Sequence, residues 1–332
     1  MQLEILWHTI EPEKMIGVAM RRCYTTYPIE TIVEEVSNAY GEYLVASAYE
    51  RDEFDVYEHV RILCVAEASE REILDTILKH RYVEATHMDH RWLLSLNLRS
   101  ALEAARSGEE AFKFAVQQVC PMVAHMMEGG RKPERPARLE VKPREVPSSP
   151  SISVLQSLTP RTINALLSKN GHPTLSKEQL AHHCFFTFEA EGISRVATHQ
   201  LVRHRPASYS QESQRFSAAV QEEFIVPDTI EANPEALMVA TSALNSARAA
   251  YERLRELGIK KEDARFMLPL ATGTRLMMTL TARYLRHITF LRSSSSPIGE
   301  KAQWEIRALA DQMLAEARER MPEIDWTPQE AL

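Results

Sequence analysis

Cysteine is scarce in this chain, and no two cysteines lie close together. The four cysteines among the 332 residues are Cys23, Cys64, Cys120 and Cys184. Their spacing matches neither a disulfide framework nor a metal-binding motif, so we expect reduced thiols in a cytoplasmic protein. Cys184 follows His183, as a nucleophile beside a base would. Because Cys184 also opens an apolar run with Phe185 and Phe186, we interpret it as a core residue.

The chain also lacks the marks of membrane proteins and of proteins that bind nucleic acid generally. No apolar stretch approaches the length that spans a bilayer, and Met1–Trp7 contains no basic segment followed by a long apolar run. The formal net charge of −7 disfavours binding to a nucleic-acid polymer. A hydrophobic content of 44% and a charged content of 26% are ordinary for a globular protein, and the length allows two domains.

The densest polar segment lies between Gln200 and Arg215. Its charged and hydroxyl side chains include Arg203, His204, Arg205, Ser208, Ser213 and Arg215. A guanidinium offers a planar fork of donors to phosphate or carboxylate oxygens, and serine hydroxyls complete such cradles. An Arg-His-Arg run alone is more often a solvated helix end, but the ordered Ser-x4-Ser-x-Arg continuation favours function. The segment predicts an anion-binding loop that leaves the end of a helix.

Five segments of the chain resemble the flavin-dependent thymidylate synthases. Residues 203–215 have the arrangement Arg-His-Arg-x2-Ser-x4-Ser-x-Arg, which is similar to the signature of that family. The other segments, in the family's order, are Gly171–Thr174, Cys184–Phe188 with Glu191–Arg195, Ala264–Pro269, and Leu291-Arg292 with Ala302–Arg307. The resemblance covers residues 165–325. It implies the mixed α/β (α+β) fold of this family.

The resemblance also implies an activity and a set of site residues. The reaction would be reductive methylation of dUMP to dTMP, with methylenetetrahydrofolate as carbon donor, NADPH as reductant and FAD as hydride carrier. Arg292 would stabilise negative charge on the uracil ring. The residues that would bind dUMP are Gln200, Arg203, Gln211, Ser213, Gln214, Arg215, Arg265 and Arg292. The residues that would bind FAD are Thr174, Arg203, His204, Arg205, Gln211, Thr281, Arg283 and His287.

Several positions depart from the family pattern. His182 stands where Glu is usual, Thr281 stands where an Asn often contacts the flavin, and the loop Ser293–Lys301 is long. Two other functions therefore stay open. One is a related flavin enzyme that transfers a one-carbon unit to another pyrimidine nucleotide or stops at a hydroxymethyl product. The other is a non-catalytic nucleotide-binding homologue. A metal site is not expected, because adjacent histidines on a strand, such as His182 and His183, would point to opposite faces.

A proline-rich segment divides the chain into two halves. Residues 129–150 contain five prolines and two glycines, which exclude a helix or central strand and predict a linker. Glu58–Arg81 aligns without gaps with His182–Arg205, and Ser95–Arg99 resembles Thr279–Arg283. Shared helix patterning would explain some of these identities. We favour a duplication, with residues 1–128 as a degenerate pseudo-domain and residues 151–332 as the flavin- and nucleotide-binding catalytic domain.

The pseudo-domain has no Ser-x4-Ser-x-Arg loop after Arg81, so we expect it to serve architecture rather than a second substrate site. The resemblance implies an active site shared between subunits. A duplicated chain is therefore expected to form a homo-oligomer, either a dimer of duplicated chains or a tetramer. Its partners would otherwise be small molecules.

Local patterns predict individual elements. Phe185–Glu189 reads as a buried strand, Ile193–Arg203 as a helix, and the residues after Pro206 as a loop. Asn233-Pro234 opens another helix, which Gly258 ends. Further signals are the Ser69/Glu72 capping box and a C-terminal helix with apolar positions Ile306, Leu309, Met313 and Ala317.

Overall fold

The computed structural model describes residues 1–137, 139, 149–216 and 223–327. In the first half the strands are β1 (Gln2–His8), β2 (Arg61–Glu67), β3 (Glu84–Met88) and β4 (Arg91–Asn97). The helices there are α1 (Pro12–Tyr24), α2 (Ile29–Glu35), α3 (Asn38–Glu50), α4 (Glu70–Lys79), α5 (Leu98–Arg106), α6 (Glu110–Val119) and α7 (Pro121–Met127). A short 3-10 helix, Phe54–His59, precedes β2.

The second half repeats the alternation of strands and helices. Its strands are β5 (Ser151–Leu158), β6 (Phe185–Ser194), β7 (Ser208–Gln211) and β8 (Gly273–Thr281). Its helices are α8 (Pro160–Lys169), α9 (Lys177–Ala181), α10 (Arg195–Leu201), α11 (Asp228–Glu231), α12 (Pro234–Glu256), α13 (Lys261–Ala264), α14 (Ala282–Arg292) and α15 (Trp304–Arg320). The mixed α/β class is confirmed.

Each half forms a four-stranded antiparallel sheet, and the two sheets match in strand order and register. The orders are β1-β2-β4-β3 and β5-β6-β8-β7. Arg61 lies opposite Asn97 in the first sheet, as Phe185 lies opposite Thr281 in the second. The edge strand of each sheet carries an irregularity at the same place, after Ile5 in β1 and after Val154 in β5. Such agreement is what duplication of one unit would produce, and it supports that interpretation.

The two halves also contact each other reciprocally. A histidine from each half reaches two hydroxyl groups on the sheet of the other half. The pairs are His59 Nδ1 with Thr279 Oγ1 (2.8 Å), His59 Nε2 with Ser210 Oγ (3.0 Å), His183 Nδ1 with Ser95 Oγ (3.0 Å) and His183 Nε2 with Thr86 Oγ1 (2.8 Å). The hydroxyl residues occupy equivalent register positions in the two sheets. Contacts exchanged in this way are typical of a twofold interface.

The sheet of the first half contributes to two hydrophobic cores. In β2, Ile62, Cys64 and Ala66 pack with helices of the first half, whereas Leu63 and Val65 belong to the core of the second half. Alternate residues of a strand point to opposite faces, so β2 is covered on both sides. Each fully buried Leu or Val contributes roughly 1.5–3 kcal/mol. The first half therefore supplies part of the core of the second.

Some of the local predictions are confirmed and others are wrong. The Ser69/Glu72 capping box starts α4, the Asn233 side chain caps α12, and α15 spans the predicted C-terminal helix. The helix predicted from Ile193 begins only at Arg195, because β6 continues to Ser194. Since β6 is buried along its whole length, it lacks the alternation that marks a half-exposed strand.

Two further local predictions need correction. The segment after Pro206 contains the strand β7 as well as a loop. His182 and His183 lie between α9 and β6 rather than on a strand, and their contacts run to different groups. Residues 138 and 140–148 of the predicted linker lie outside the described residues, so the linker stays a prediction. No helix in the described ranges is both long and apolar enough to cross a membrane.

Candidate active site

The predicted catalytic arginine meets three of the predicted flavin residues at the ends of α10 and α14. Arg292 closes α14, and its Nε donates to Nε2 of His204 at 3.4 Å. The His204 ring stands edge-on to His287, with centroids 6.3 Å apart. Burial, together with Arg292 and His287, lowers the pKa of His204 to about 4, so its ring is a neutral acceptor at neutral pH. Burial and the nearby Arg203 lower the pKa of Arg292. We call these four residues the flavin cluster.

Two of the residues predicted to bind dUMP meet at Glu262. Arg215 Nη2 lies 3.2 Å from the Glu262 carboxylate, and Arg265 Nε donates to the Glu262 carbonyl oxygen at 3.2 Å. Arg195, which sequence reasoning left out of the site, lies near them. Its Nη2 donates to the Glu212 carbonyl oxygen at 2.6 Å. Burial lowers the pKa of Arg195, and the nearby positive charge of Arg265 lowers it further. We call Arg195, Arg215 and Arg265 the nucleotide cluster. The signal for Arg195 was its place in the Glu-Gly-Ile-Ser-Arg segment.

Strand β7 separates the two clusters. Its four residues rise about 3.3 Å each, so the ends of the strand lie on the order of 10–13 Å apart. Gln211, predicted to contact both ligands, ends this strand and donates from Nε2 to the hydroxyls of Thr198 (3.0 Å) and Thr274 (3.4 Å). Beyond it, the Ser213 N–H donates to the Cys23 carbonyl oxygen at 3.0 Å. The end of β7 is therefore anchored to the first half.

Thr281 and Arg283 lie where the second half meets the first. The Thr281 hydroxyl is buried, has no hydrogen-bond partner among the described residues and does not cap α14. Arg283 Nη1 lies 3.4 Å from Nδ1 of His182, which lies 3.4 Å from the Glu84 carboxylate of β3. At the position where the family usually has Glu, His182 thus meets a carboxylate from the first half.

The remaining predicted residues lie at the surface or partly exposed. Thr174 is exposed between α8 and α9, and Arg205 is exposed after α10. Gln200 is half-buried on α10, and Gln214 is half-buried beyond β7. The structure therefore brings the other predicted residues into two clusters and a junction between the halves. Thr174, Gln200 and Gln214 lie beside them, and Arg205 borders the junction.

A buried ion network, which sequence reasoning missed, lies beside the nucleotide cluster. Arg22 of α1 lies 2.5 Å from Glu189 and 3.5 Å from Glu191 of β6. Arg275 of β8 lies 3.6 Å from Glu191 and 3.0 Å from Glu212. Burial raises the pKa of Glu189, and the neighbouring Arg22 and Arg275 oppose this shift. Breaking a buried pair costs about 3–5 kcal/mol, so this network ties α1 of the first half firmly to the sheet of the second.

A pocket of about 310 Å³ opens between the halves. We call it the junction pocket; its polar lining includes Arg61, Arg81, Tyr82 and Glu84 from the first half and Arg205 and Thr281 from the second. The first half therefore borders residues that the resemblance assigns to flavin binding.

Comparisons with known proteins place most of the second half in one family. The family model described as thymidylate synthase complementing protein matches residues 122–323. The flavin-dependent thymidylate synthase of Geobacter sulfurreducens is 43% identical over 161 residues, which are 48% of this chain and 66% of the relative. The enzyme of the same name from Pyrococcus abyssi is 41% identical over 156 residues, 45% of this chain and 62% of the relative.

Solved structures give a weaker overlap. The UMP/dUMP methylase PolB from Streptomyces cacaoi, bound with 5-Br dUMP, is 25% identical at a TM-score of 0.43, covering 54% of this chain and 94% of the other. The chain spans slightly less than two thirds of the length of the curated relatives it matches. Both clusters lie within the matched residues 122–323. The chain belongs to the thymidylate synthase complementing protein family.

Proposed function

We propose that the protein is a flavin-dependent thymidylate synthase. It would methylate dUMP to dTMP, with methylenetetrahydrofolate as carbon donor, NADPH as reductant and FAD as cofactor. The observation that carries this proposal is the convergence of Arg203, His204, His287 and Arg292 at one end of β7, with a second arginine cluster at the other end. Two cationic clusters suit two anionic ligands held side by side.

The nucleotide cluster would hold the phosphate of dUMP. Arg215 is exposed and pairs with the exposed Glu262 in the free protein, so a phosphate dianion would compete with a carboxylate for it. Exposed ion pairs contribute about 0–1 kcal/mol, so a ligand can displace this one at little cost. Arg195 is more buried, and it would fix the position of the loop through the Glu212 carbonyl.

The flavin cluster would place Arg292 against the uracil ring. A guanidinium stays protonated, so Arg292 would stabilise negative charge on the ring rather than transfer a proton. The neutral His204 accepts from Nε and thereby orients the guanidinium. FAD, when bound, would supply the hydride. The Thr281 hydroxyl has no hydrogen-bond partner within the described part of the chain, and Arg203 and Arg205 are exposed. These groups fit a polar, anionic ligand at this end of the site.

The direct test is the absorbance spectrum of the purified protein, followed by product analysis. We expect bound or reconstitutable FAD, and dTMP from dUMP in the presence of methylenetetrahydrofolate and NADPH. A colourless protein that cannot be reconstituted with FAD would overturn the proposal in favour of a nucleotide-binding homologue.

A flavin-dependent one-carbon transferase for another pyrimidine nucleotide is the second candidate. It is favoured by Thr281, whose short side chain stands at the end of β8 where a longer amide is usual in the family, and by the long loop Ser293–Lys301. Incubation with dCMP beside dUMP separates the two, because only this second enzyme would modify dCMP or stop at a hydroxymethyl product.

We also propose that the chain forms a homo-oligomer in the cytoplasm. Helix α12 buries only Tyr251, while Met238 and Val239 are 66% and 64% exposed. Exposed apolar surface of this kind often marks an interface. All four cysteines are free thiols, in keeping with a reducing compartment. Light scattering should find an oligomer that Met238→Glu weakens; a monomeric wild type would contradict the assembly.

A further inference from the structure

The junction pocket contains a buried guanidinium group with unsatisfied hydrogen-bond donors. Arg61 of β2 is 6% exposed, and its Nε and Nη2 have no hydrogen-bond partner among the described residues. Its guanidinium carbon lies 5.8 Å from the centroid of the Phe185 ring. Burial lowers the pKa of Arg61 to about 10, so it stays charged at neutral pH. Glu84 and Glu58 partly offset this charge, but burying donors without acceptors is unfavourable, so a ligand that accepts hydrogen bonds from Nε and Nη2 would stabilise Arg61.

The opposite wall of the pocket has a second unsatisfied group. Thr281 is 4% exposed, and its hydroxyl has no partner in the described part of the chain. Its register equivalent in the first half, Asn97, caps α5 by accepting from the Ser100 N–H at 2.8 Å. Thr281 makes no such cap for α14. The positive end of α14, an eleven-residue helix, thus begins at the pocket without a side-chain acceptor, which favours an anion there.

The backbone at the pocket is strained. Tyr82 adopts φ = 62°, a left-handed conformation that is uncommon for a bulky residue. Its hydroxyl donates to the Arg205 carbonyl oxygen at 3.1 Å and so joins the two walls. Strained residues persist where the surroundings hold them, often at ligand sites.

The charges of the lining indicate the chemistry of the ligand. Arg61, Arg81 and Arg205 face one carboxylate, Glu84, which is already engaged by His182. A volume of about 310 Å³ is at the lower end of ligand pockets and suits one part of a larger molecule. Three guanidinium groups, a hydroxyl donor and a helix N-terminus match the oxygens of a diphosphate.

We propose that Arg61 of the first half anchors the diphosphate of a flavin nucleotide in the junction pocket. The identity of this ligand rests on the proposed function. Arg61 occupies the register position that Phe185 holds in the second half, so the second half has no counterpart for it. The first half then lacks its own phosphate loop and still contributes a binding residue to the site of the second.

Isothermal titration of the full chain with FAD, riboflavin, dUMP and inorganic pyrophosphate tests this proposal. Arg61→Met should weaken FAD binding roughly 10–100-fold, the range for a hydrogen bond to a charged group. Riboflavin, which has no phosphate, and dUMP should bind as they do to the wild type. Arg91→Met is the matched control: Arg91 lies in the same sheet, pairs with Glu67 at 2.6 Å and should leave FAD affinity within twofold.

Thermal unfolding of the ligand-free variant separates binding from structure. Because Nε and Nη2 of Arg61 make no hydrogen bond within the described residues, Arg61→Met should leave the melting temperature nearly unchanged. Arg61→Lys should retain part of the FAD affinity. Unchanged FAD affinity in Arg61→Met, or a loss confined to dUMP, would overturn the proposal. If Arg61→Met does not fold, unchanged FAD affinity in Arg61→Lys together with no competition by pyrophosphate would overturn it.

The wild-type titrations report on the proposed function separately. If the wild-type protein binds pyrophosphate through Arg61 but binds no FAD, the anion site is supported and the proposed flavin-dependent function is wrong. If the wild-type protein binds neither pyrophosphate nor FAD, both the anion site and the proposed function are wrong.

Discussion

The two halves share one scaffold and differ in the side chains placed on it. Val65 of β2 and Glu189 of β6 occupy the same register position, and so do Leu63 and Thr187. The apolar pair joins the core shared by the halves, whereas Glu189 is a buried carboxyl that meets Arg22. The register of the backbone is kept, while single substitutions on the face turned toward the other half decide whether that face is packed or charged.

An ion pair at equivalent positions shows the same contrast. Arg91 and Glu67 form a partly exposed pair at 2.6 Å, and Arg275 and Glu191 form a buried pair at 3.6 Å. The second pair is buried because α1 covers it with Arg22. Exposed pairs contribute about 0–1 kcal/mol, whereas breaking a buried pair costs about 3–5 kcal/mol. The same pair geometry therefore adds little stability in the first half, whereas in the second half it is a buried contact beside the nucleotide cluster.

Removing the first half should have the largest effect. A chain that begins at Ser151 loses Arg22, which pairs with Glu189. It also loses Leu63 and Val65 of β2, so part of the hydrophobic core of the second half would be exposed to solvent. We expect an aggregated or FAD-free fragment, measured by size-exclusion chromatography and flavin absorbance. A soluble, fully active fragment would show that the halves are independent.

Arg292→Lys should slow turnover about 10–100-fold, the range for loss of a hydrogen bond to a charged group. A point ammonium cannot reproduce the planar fork, yet the flavin spectrum should stay unchanged. The control is Arg106→Lys, at the end of α5, where the guanidinium lies 4.6 Å from the centroid of the Phe54 ring. Stopped-flow oxidation of reduced flavin measures both. Near wild-type rates in Arg292→Lys would remove Arg292 from the mechanism.

Sequence motifs named all the residues that meet in the flavin cluster and two of the three in the nucleotide cluster, and their roles as ligand-binding residues stay predictions. Caps and amphipathic helices were also within reach, since the Ser69/Glu72 box and the apolar spacing of α15 are local signals. The length of β6 could not be predicted, because a strand that is buried on both faces has no alternating pattern of polar and apolar residues.

Contacts between the halves were the main feature beyond reach of the sequence. Arg61 and Glu84 lie outside every motif, and only the packing of one half on the other brings them to Thr281 and His182. The missing loop predicts that the first half serves architecture rather than a second substrate site, and it leaves open whether the first half borders the site of the second. Its sequence offered no sign that it borders the flavin residues.

Arg215→Ala should weaken dUMP binding roughly 10–100-fold and FAD binding much less. Because Glu262 pairs with Arg215 at 3.2 Å in the free protein, Glu262→Gln should tighten dUMP binding by up to about fivefold, the range of an exposed pair. Calorimetry with both ligands measures the split. Equal losses of dUMP and FAD in Arg215→Ala would contradict the assignment of this cluster.

The reciprocal histidines predict a pH dependence. Burial lowers the pKa of His59 and of His183 to about 3. Between pH 6.5 and about 3 the unfolded chain binds protons that the folded chain does not, so the free energy of unfolding falls as the pH drops through this window. His59→Asn should cost about 1–3 kcal/mol at pH 7 and make the fall with pH shallower.

Urea unfolding at pH 7 and pH 5 measures this difference. Burial raises the pKa of Glu189, so Glu189 acts with the opposite sign, and its contribution cancels when the variant is compared with the wild type. His183→Asn should behave like His59→Asn if the interface is reciprocal. A large effect from only one of the two would break that symmetry.

If the two matched halves make one site, each chain binds one equivalent of each ligand, and the stoichiometry of binding tests this most directly. Calorimetric titration of the full chain with dUMP, and separately with FAD, should give one equivalent of each per chain. Only the second half has the loop from Arg203 to Arg215, while the first contributes to the junction pocket without a loop of its own. Two equivalent dUMP or FAD sites per chain would contradict the account.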